Sequence, residues 1–286
     1  MAILSIQSHV AFGHVGNSAA IFPLQRLGHS AWAIDTVMFA AHAGYGPPKG
    51  PVFSAETVRD VIRGLADLGV LGQCDAVLSG YLGDAAIGDA VLEAVDLVRQ
   101  ANPNAVYCCD PVMGDREPGI YVRPEIPKFM ERRAVAAADI ITPNAFELQL
   151  LTGMPTDTLE HALAACRTVL NAGPGTVLLT SLEHEETPPD MIDMAAVTRE
   201  GAWIVRTPKF NLDPSPNGAG DLTAAIFLAQ QITGHETAEA LSRTASAVQA
   251  VFAETARAGT RELALIAAQD AIAEPPVRFE SSTVSY

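Results

Sequence analysis

Lysine is scarce in this sequence, and positive charge is scarce with it. The 286 residues contain only three lysines, Lys49, Lys128 and Lys209, and the formal net charge is -15. A chain this acidic repels polyanions, so nucleic acid and anionic membranes are excluded as expected partners. A small anionic substrate would have to be held locally, by a helix N-terminus, a metal ion or single Arg and Lys side chains.

Cysteine is also sparse. The four residues are Cys74, Cys108, Cys109 and Cys166, and their spacing is not that of metal ligands. Cys108 and Cys109 are adjacent in an apparent strand, so their side chains should point to opposite faces of the sheet. Small buried thiols of this kind are typical of a reducing compartment.

Long apolar runs are absent as well. No segment reaches the ~18 uninterrupted apolar residues that a membrane-spanning helix needs. Residues 1–7 are apolar, but no basic region precedes them, so we predict no signal peptide. With the cysteine usage, this predicts a cytoplasmic protein.

The glycine-rich stretch at 211–231, NLDPSPNGAGDLTAAIFLAQQ, is neither of two common phosphate-binding motifs. No Gly-Lys-Ser/Thr follows its glycines, and the third glycine of a dinucleotide fingerprint is missing. The stretch predicts a sharp turn into a buried helix whose first amides and dipole attract an anion, most often phosphate. Asp221 in that first turn is either a helix cap or a base for an attacking hydroxyl, and both interpretations remain open.

Strands and helices alternate along the chain. Apolar runs predict strands at 2–7, 32–39, 75–79, 105–110, 139–142 and 175–181, and an antiparallel pair at 191–199 and 202–207. Helices are predicted at 19–27, 54–69, 85–100, 158–172, 237–256 and 260–273, after Pro143 and from Leu222, and the tail from Glu274 should be loosely held. No linker divides the chain, so we predict a single α/β domain over 1–286. Its sheet should be mainly parallel, with helices on both faces and a few antiparallel strands.

Polar residues end several predicted strands, and the carboxyl ends of parallel strands share one rim of a sheet, where ligands bind. These residues are Ser8, Gly80, Asp110, Thr142 and Thr180. Asp110 and Asp115 could order a magnesium ion through water, or they could be turn formers. Tyr81 could stack on a flat ligand or cap the core. Asn144 and Glu147, three apart at a helix start, can face one way.

Residues 40–51 are rich in glycine and proline and carry His42, Tyr45 and Lys49. This composition is too irregular for a core element, so the segment is predicted to be a mobile cover over the site.

Five segments, SIQSHVAFGHVGNSAA, SGYLGD, CDPVMGD, ITPNAFEL and NGAGD, resemble in order and spacing the pyridoxal kinases of the ribokinase-like superfamily. The resemblance runs over nearly the whole chain. It implies a ribokinase-like fold and ATP-dependent phosphorylation of the 5′-hydroxymethyl group of pyridoxal to pyridoxal 5′-phosphate. It also implies Mg²⁺ as cofactor, a pyridoxal-type molecule and ATP as binding partners, and a homodimer.

The resemblance assigns roles to individual residues. Asp221 would be the catalytic base, and the backbone from Asn217 through Gly218 and Ala219 to Gly220 would form the anion hole. The vitamer would be bound by Ser8, Val15, Val37, Phe39, His42, Ala43, Tyr81 and Asp221. ATP would be bound by Asp110, Asp115, Tyr121, Thr142, Asn144, Glu147, Thr180, Ser181, Thr207, Lys209, Phe210, Asn217, Gly218 and Gly220. Asp110 and Glu147 would hold the metal.

The sequence departs from that family at three places. Ala43 stands where many pyridoxal kinases have Thr, so a hydroxyl that could bond the substrate ring is missing, and either substrate affinity or vitamer preference should differ. Thr180 and Ser181 end a strand in which bacterial relatives often carry Lys, and NLDPSP before the anion hole is atypical. Two other functions therefore remain candidates: a hydroxymethylpyrimidine or other small-alcohol kinase, and a non-catalytic vitamer-binding protein.

Overall fold

A sheet of nine strands runs through the molecule, accompanied by a separate two-stranded hairpin. The structure is a computed structural model that describes residues 1–285. In chain order its strands are β1 (Ala2–Val10), β2 (Ser30–Phe39), β3 (Cys74–Ser79), β4 (Val106–Cys109), β5 (Gly114–Asp115), β6 (Gly119–Ile120), β7 (Ile140–Ile141), β8 (Thr176–Leu182), β9 (Met191–Thr198), β10 (Ala202–Pro208) and β11 (Ser282–Val284).

Helices follow most of these strands. They are α1 (Asn17–Arg26), α2 (Ala55–Asp67), α3 (Ala85–Ala101), α4 (Glu125–Phe129), α5 (Val135–Ala137), α6 (Ala145–Thr152), α7 (Leu159–Ala172), α8 (Ala219–Ile232), α9 (Thr237–Ala258) and α10 (Gln269–Ala273). A π turn at Met130–Ala134 joins α4 to α5. The sequence pattern predicted no helix between residues 125 and 137. No helix within residues 1–285 is both long enough and apolar enough to cross a membrane.

The order of the large sheet is β11-β10-β9-β8-β7-β4-β3-β1-β2. Six neighbouring strands of this sheet, β8, β7, β4, β3, β1 and β2, pair in parallel, whereas β9, β10 and β11 are added antiparallel. Parallel strands are buried on both faces, which explains why the first strand is buried at almost every position. The predicted architecture of a mainly parallel sheet with a few antiparallel strands is confirmed.

Both faces of the sheet are covered. Helices α2, α3 and α4 pack on one face, against a cluster that includes Tyr107 and Cys109. Helices α1, α8 and α9 pack on the other face, against a cluster that includes Cys108 and Phe227. The two adjacent cysteines therefore point to opposite faces, as predicted. All four cysteines are free and buried.

The prediction of a helix at 260–273 is wrong over most of that range. Gly259, at φ 62°, ends α9, and regular helix returns only at Gln269. The intervening turn is fixed by hydrogen bonds, including one from the Ala264 amide to Thr255 Oγ1 at 3.0 Å. Leu263 and Leu265 are both buried although they are two residues apart, a spacing that one face of a helix does not provide. Tertiary packing has overridden good helix propensity here.

The tail is not loosely held, and that prediction is wrong too. β11 pairs with β10, and the Phe279 amide donates to Ser246 Oγ at 2.9 Å. The hydroxyl of Ser281 donates to the Ala238 carbonyl at 3.0 Å. Local composition cannot reveal these anchors, because their partners on α9 lie 33 and 43 residues earlier in the sequence.

Candidate active site

A cleft of about 930 Å³ opens at the carboxyl ends of the parallel strands. It brings together every residue predicted for binding or catalysis. These are Ser8, Val15, Val37, Phe39, His42, Ala43, Tyr81, Asp110, Asp115, Tyr121, Thr142, Asn144, Glu147, Thr180, Ser181, Thr207, Lys209, Phe210, Asn217, Gly218, Ala219, Gly220 and Asp221. Their individual roles remain predictions, since position on one cleft does not assign a function to each side chain.

The N-terminus of α8 faces this cleft. Gly218 is its N-cap residue and lies in the left-handed region at φ 90°. A Cβ at this position would lie 1.8 Å from the His14 carbonyl oxygen, so the backbone can pass here only without a side chain. The chain therefore enters the helix tightly against the β1–α1 loop, with the first-turn amides beside the cleft. This is the geometry of an anion site.

Asp221 occupies the first turn of α8 and is partly buried. Burial raises the pKa of its carboxyl group to about 6, although hydrogen bonds from the backbone amides of Gly16 and Asp221 itself oppose the shift. A carboxyl group with this pKa is mainly ionised at neutral pH and is still basic enough to accept a proton. The arrangement therefore suits a general base better than a simple cap.

Asp110 follows β4 and is buried beside the start of α8. Its Oδ1 accepts a hydrogen bond from Thr142 Oγ1 at 2.9 Å. Burial raises the pKa of Asp110 well above its ordinary value, and the carboxylates of Glu147 and Asp221 raise it further. These neighbouring negative charges disfavour ionisation of Asp110, and a bound cation would favour it.

Glu147 is fixed by the start of α6. It forms a reciprocal capping box with Asn144: the Glu147 amide donates to Asn144 Oδ1 at 2.8 Å, and the Asn144 amide donates to Glu147 Oε2 at 3.0 Å. The Met113 amide donates to Glu147 Oε1 at 2.9 Å. Burial nevertheless raises the pKa of Glu147 to about 8. The two residues face one way, as predicted, and the capping box is the physical reason.

The chemistry of these groups fits a divalent cation. Asp110 and Glu147 offer oxygen ligands, and burial raises the pKa of both carboxyl groups, so a bound cation would favour their ionised forms. Within residues 1–285, no group of three His, Cys, Asp or Glu residues converges to hold a metal by itself. Carboxylate oxygens are ligands that a divalent cation such as Mg²⁺ accepts, together with water and substrate phosphates. Asp115 is exposed and accepts a hydrogen bond from the Arg116 amide, as a turn former does.

The other end of the cleft lies over β1, β2 and β3. Ser8 and His42 are buried there, and the Tyr81 backbone is held by a 2.7 Å hydrogen bond from Thr36 Oγ1 to its carbonyl. Beneath them, Ser5 Oγ donates to Asn17 Oδ1 at 2.8 Å, and Asn17 Nδ2 donates to Asp35 Oδ1 at 2.7 Å. Such a satisfied polar network holds strand ends and the α1 start in one arrangement. This end of the cleft is therefore rigidly supported from below.

The predicted cover segment lies folded over this end. Its backbone is tied to the end of β2 by a 3.0 Å hydrogen bond from the Met38 amide to the Pro51 carbonyl. Two residues that sequence reasoning missed, Arg261 and Glu262, hold its middle. They lie in the region where a helix was expected, and no local pattern distinguishes them from helix surface residues.

Aromatic side chains form the end of the cleft near α9. The rings of Phe210 and Phe252 stack at 6.3 Å between centroids, and Gln249 Nε2 donates to the Pro208 carbonyl at 2.9 Å. Gln249 and Phe252 were missed because their spacing on α9 is also that of an ordinary amphipathic helix. Lys209 lines the cleft but is paired with Glu183 at 2.7 Å. Among residues 1–285, the Arg and Lys side chains that line the cleft are Lys209 and Arg261.

Ser181 has an unusual backbone conformation at the end of β8. Its φ is 52°, in the left-handed region, and the pairing of β8 with β9 is irregular between Leu179 and Leu182. Non-glycine residues in this region concentrate at ligand sites held by the surrounding structure. The bulge leaves Ser181 exposed in the cleft.

Comparison with known proteins points to one family. A family model described as phosphomethylpyrimidine kinase matches residues 52–265. The pyridoxal kinase PdxY of Rubrobacter xylanophilus is 57% identical over 278 residues, which cover 97% of this chain and 95% of the relative. The PdxY of Corynebacterium diphtheriae is 48% identical over the whole of both chains.

A solved structure gives the same result. Pyridoxal kinase from Leishmania donovani in complex with ADP and pyridoxamine matches with a TM-score of 0.93 and 28% identity, covering 99% of each chain. The fold, the cleft with its acidic groups, and the extent of these similarities agree. The chain therefore belongs to the pyridoxal kinase family.

Proposed function

We propose that this chain transfers the γ-phosphoryl group of ATP to the 5′-hydroxymethyl group of pyridoxal and so makes pyridoxal 5′-phosphate. The single observation that carries the proposal is Asp221. Its carboxyl group, with a pKa near 6, lies in the first turn of α8, next to backbone amides that can hold a phosphoryl group. The 57% identity to a pyridoxal kinase, over almost the full length of both chains, supports the choice of substrate.

Asp221 acts as the base in this reaction. It accepts the proton of the 5′-hydroxyl group while that oxygen forms a bond to the γ-phosphorus. The bond from the γ-phosphorus to the β,γ-bridging oxygen breaks, and ADP leaves with that oxygen. The amides of Gly218, Ala219 and Gly220 donate to the oxygens of the group in transfer. Phosphoryl transfer depends on such positioning and charge neutralisation more than on covalent chemistry.

The vitamer occupies the end of the cleft under the cover segment. Ser8 hydrogen-bonds the pyridine ring and Tyr81 packs against it. Val15, Val37, Phe39, His42 and Ala43 form the surrounding wall. Both His42 ring nitrogens are already engaged, with the Gly44 amide at 3.1 Å and Glu262 Oε1 at 3.1 Å. His42 therefore contacts the substrate through the face or the carbon edge of its ring.

ATP occupies the remainder of the cleft, from the carboxylates to α9. Asp110 and Glu147 hold Mg²⁺, which neutralises phosphate charge when bound. Asp110, whose Oδ1 accepts one hydrogen bond, has more free lone pairs than Glu147, whose two oxygens accept backbone amides. The other nucleotide contacts are Asp115, Tyr121, Thr142, Asn144, Thr180, Ser181, Thr207, Lys209, Phe210 and Asn217.

Three further features belong to the proposal. The chain forms one ribokinase-like domain over 1–286, acts in the cytoplasm and assembles as a homodimer. The four free buried thiols support a reducing compartment. Light scattering on the purified protein tests the dimer: it should give about twice the monomer mass of 30.1 kDa.

ADP release with Mg-ATP tests the activity, using pyridoxal, pyridoxine, pyridoxamine and hydroxymethylpyrimidine in parallel. Pyridoxal should be turned over, and Asp221→Ala should abolish turnover while the protein still folds. Turnover of the pyrimidine alone would establish the second candidate, which the phosphomethylpyrimidine kinase family model favours. Pyridoxal binding without any ADP release would leave only a vitamer-binding role.

A further inference from the structure

Glu262, near the end of the sequence, joins two loops that both lie within the first 51 residues. Its Oε1 accepts hydrogen bonds from Tyr45 OH at 2.8 Å and His42 Nε2 at 3.1 Å, both in the cover segment. Its Oε2 accepts a hydrogen bond from the His14 amide at 2.9 Å, in the β1–α1 loop. The Glu262 side chain is only 15% exposed, so water competes little for these hydrogen bonds. The donors together hold the pKa of Glu262 below its ordinary value despite burial.

The hydrogen bonds fix the protonation of His42. The Gly44 amide donates to His42 Nδ1 at 3.1 Å, so Nδ1 is an acceptor and the ring proton is on Nε2. That Nε2–H then donates to Glu262. The neutral ring thus bridges the turn of the cover segment to the carboxylate.

Arg261 also contacts the cover segment, at Tyr45 and Gly44. Its guanidinium lies 3.9 Å from the centroid of the Tyr45 ring, and one of its terminal nitrogens donates to the Gly44 carbonyl. A cation over an aromatic face is an attractive contact at this distance. Arg261 and Glu262 therefore hold Tyr45 together, one on the ring and one on the hydroxyl group.

The hydrogen bond from the His14 amide to Glu262 connects the cover segment to the catalytic end of the cleft. The His14 carbonyl oxygen lies so close to Gly218 that a Cβ there would be 1.8 Å away. Two residues further along, the Gly16 amide hydrogen-bonds the Asp221 carboxyl group. The peptide unit held by Glu262 is thus followed directly by the segment that packs on the α8 N-terminus and on Asp221.

We propose that Glu262 is a positioning residue that closes the cover segment over the vitamer and holds the β1–α1 loop in register with the anion hole. The inference rests on the proposed function for its kinetic consequences, but its structural part stands independently of the reaction. Glu262 contacts neither substrate nor reacting atoms in this assignment. It acts through His42, Tyr45 and the His14 amide.

Steady-state kinetics with Glu262→Gln, Glu262→Ala and Tyr45→Phe test this role. Loss of a hydrogen bond to a buried charge changes an equilibrium by about tenfold or more, so Glu262→Ala should raise the KM for pyridoxal at least that much and lower kcat. The KM for ATP should stay within about twofold. Glu262→Gln should be intermediate, because its amide retains one acceptor oxygen. Glu254→Gln, at an ion-paired glutamate on α9, is the matched control and should behave as the parent protein.

A double-mutant cycle separates positioning from general damage. Tyr45→Phe alone should raise the pyridoxal KM several-fold, yet add little in the Glu262→Ala background, because both changes remove the same hydrogen bond. Fully additive effects, or a fall in kcat with pyridoxal and ATP KM values unchanged, would overturn the assignment. The second pattern would mean only that less of the protein is active.

The scarcity of lysine provides a test that needs no substrate. A lysine-specific protease can cut this chain only at Lys49 in the cover segment, at Lys128 and at Lys209. Cleavage at Lys49 should accelerate about tenfold or more in Glu262→Ala, while cleavage at the other two sites stays unchanged. Equal rates at Lys49 in the parent and the variant would refute the closure. If the parent protein failed to phosphorylate pyridoxal, the proposed function would fall, whereas this protease result would still decide the role of Glu262.

Discussion

Replacing Asp221 by Asn should make the protein inactive and, at neutral pH, more stable. The carboxyl pKa is raised by burial from 3.8 to about 6 in the folded chain. Ionisation is therefore less favourable in the folded state than in the unfolded state. This penalty is absent below about pH 4, grows as the pH rises to about 6, and is constant above that. Asparagine has nearly the same shape and removes it.

The size of the effect follows from the shift. Two pKa units correspond to about 3 kcal/mol, and this is an upper bound because Asp221 faces an open cleft where water screens its charge. We expect Asp221→Asn to increase the free energy of unfolding by about 1 to 2 kcal/mol at pH 7.5 and by about half as much at pH 5. Turnover of pyridoxal should fall by at least about a hundredfold, because the amide cannot accept the hydroxyl proton.

Urea unfolding at pH 7.5 and pH 5, without ATP or metal, measures the stability. The control is Asp96→Asn, at an exposed position on α3, which should change stability by less than about 0.5 kcal/mol at either pH. Our reasoning about the burial of Asp221 would be refuted by a variant that is less stable than the parent at pH 7.5. It would be refuted equally by a gain that does not depend on pH.

The remaining predictions concern pH, backbone geometry and substrate choice. The kcat/KM for pyridoxal should rise with pH and level off above about 6, as the Asp221 carboxyl loses its proton; a flat profile between pH 5 and 8 would exclude it as the base. Gly218→Ala should lose activity by about a hundredfold or more and lower the Tm, because its Cβ would lie 1.8 Å from the His14 carbonyl at a φ of 90°. Gly220→Ala is the paired control, with its nearest neighbour at 3.8 Å, and it should keep the Tm of the parent protein. Ala43→Thr should change the ratio of KM values among pyridoxal, pyridoxine and pyridoxamine, whereas an unchanged ratio would remove Ala43 from vitamer selection.

The fold class could be predicted because it depends on local patterns that repeat. Apolar runs and helix caps recur in the order of a parallel α/β protein, and the sheet has that order. Ser54 and Thr158, for example, accept hydrogen bonds from the amides of Thr57 and His161 at the starts of α2 and α7. Such caps are local, so the sequence carries them in full.

Local patterns failed where long-range contacts outweigh propensity. Residues 260–268 contain good helix formers but turn away from the helix, because Leu263 and Leu265 are buried and Glu262 is bound by residues more than 200 positions earlier. The prediction of a loosely held tail was wrong for the same reason, since β11 forms only by pairing with β10. The two partners of each contact lie far apart in the sequence, so no short segment contains both of them.

The sequence by itself determined the alternating fold, the glycine-rich helix start with Asp221, and the strand-end residues that meet at one rim. These follow from the backbone freedom of glycine, the periodicity of apolar residues and the geometry of parallel sheets. Only the tertiary structure decided that the pKa of Asp221 lies near 6, that Gln249 and Phe252 face the cleft, and that Glu262 ties the cover segment to the β1–α1 loop. Burial, facing direction and hydrogen bonding between distant residues are properties of packed surfaces, and they exist only once the chain has folded.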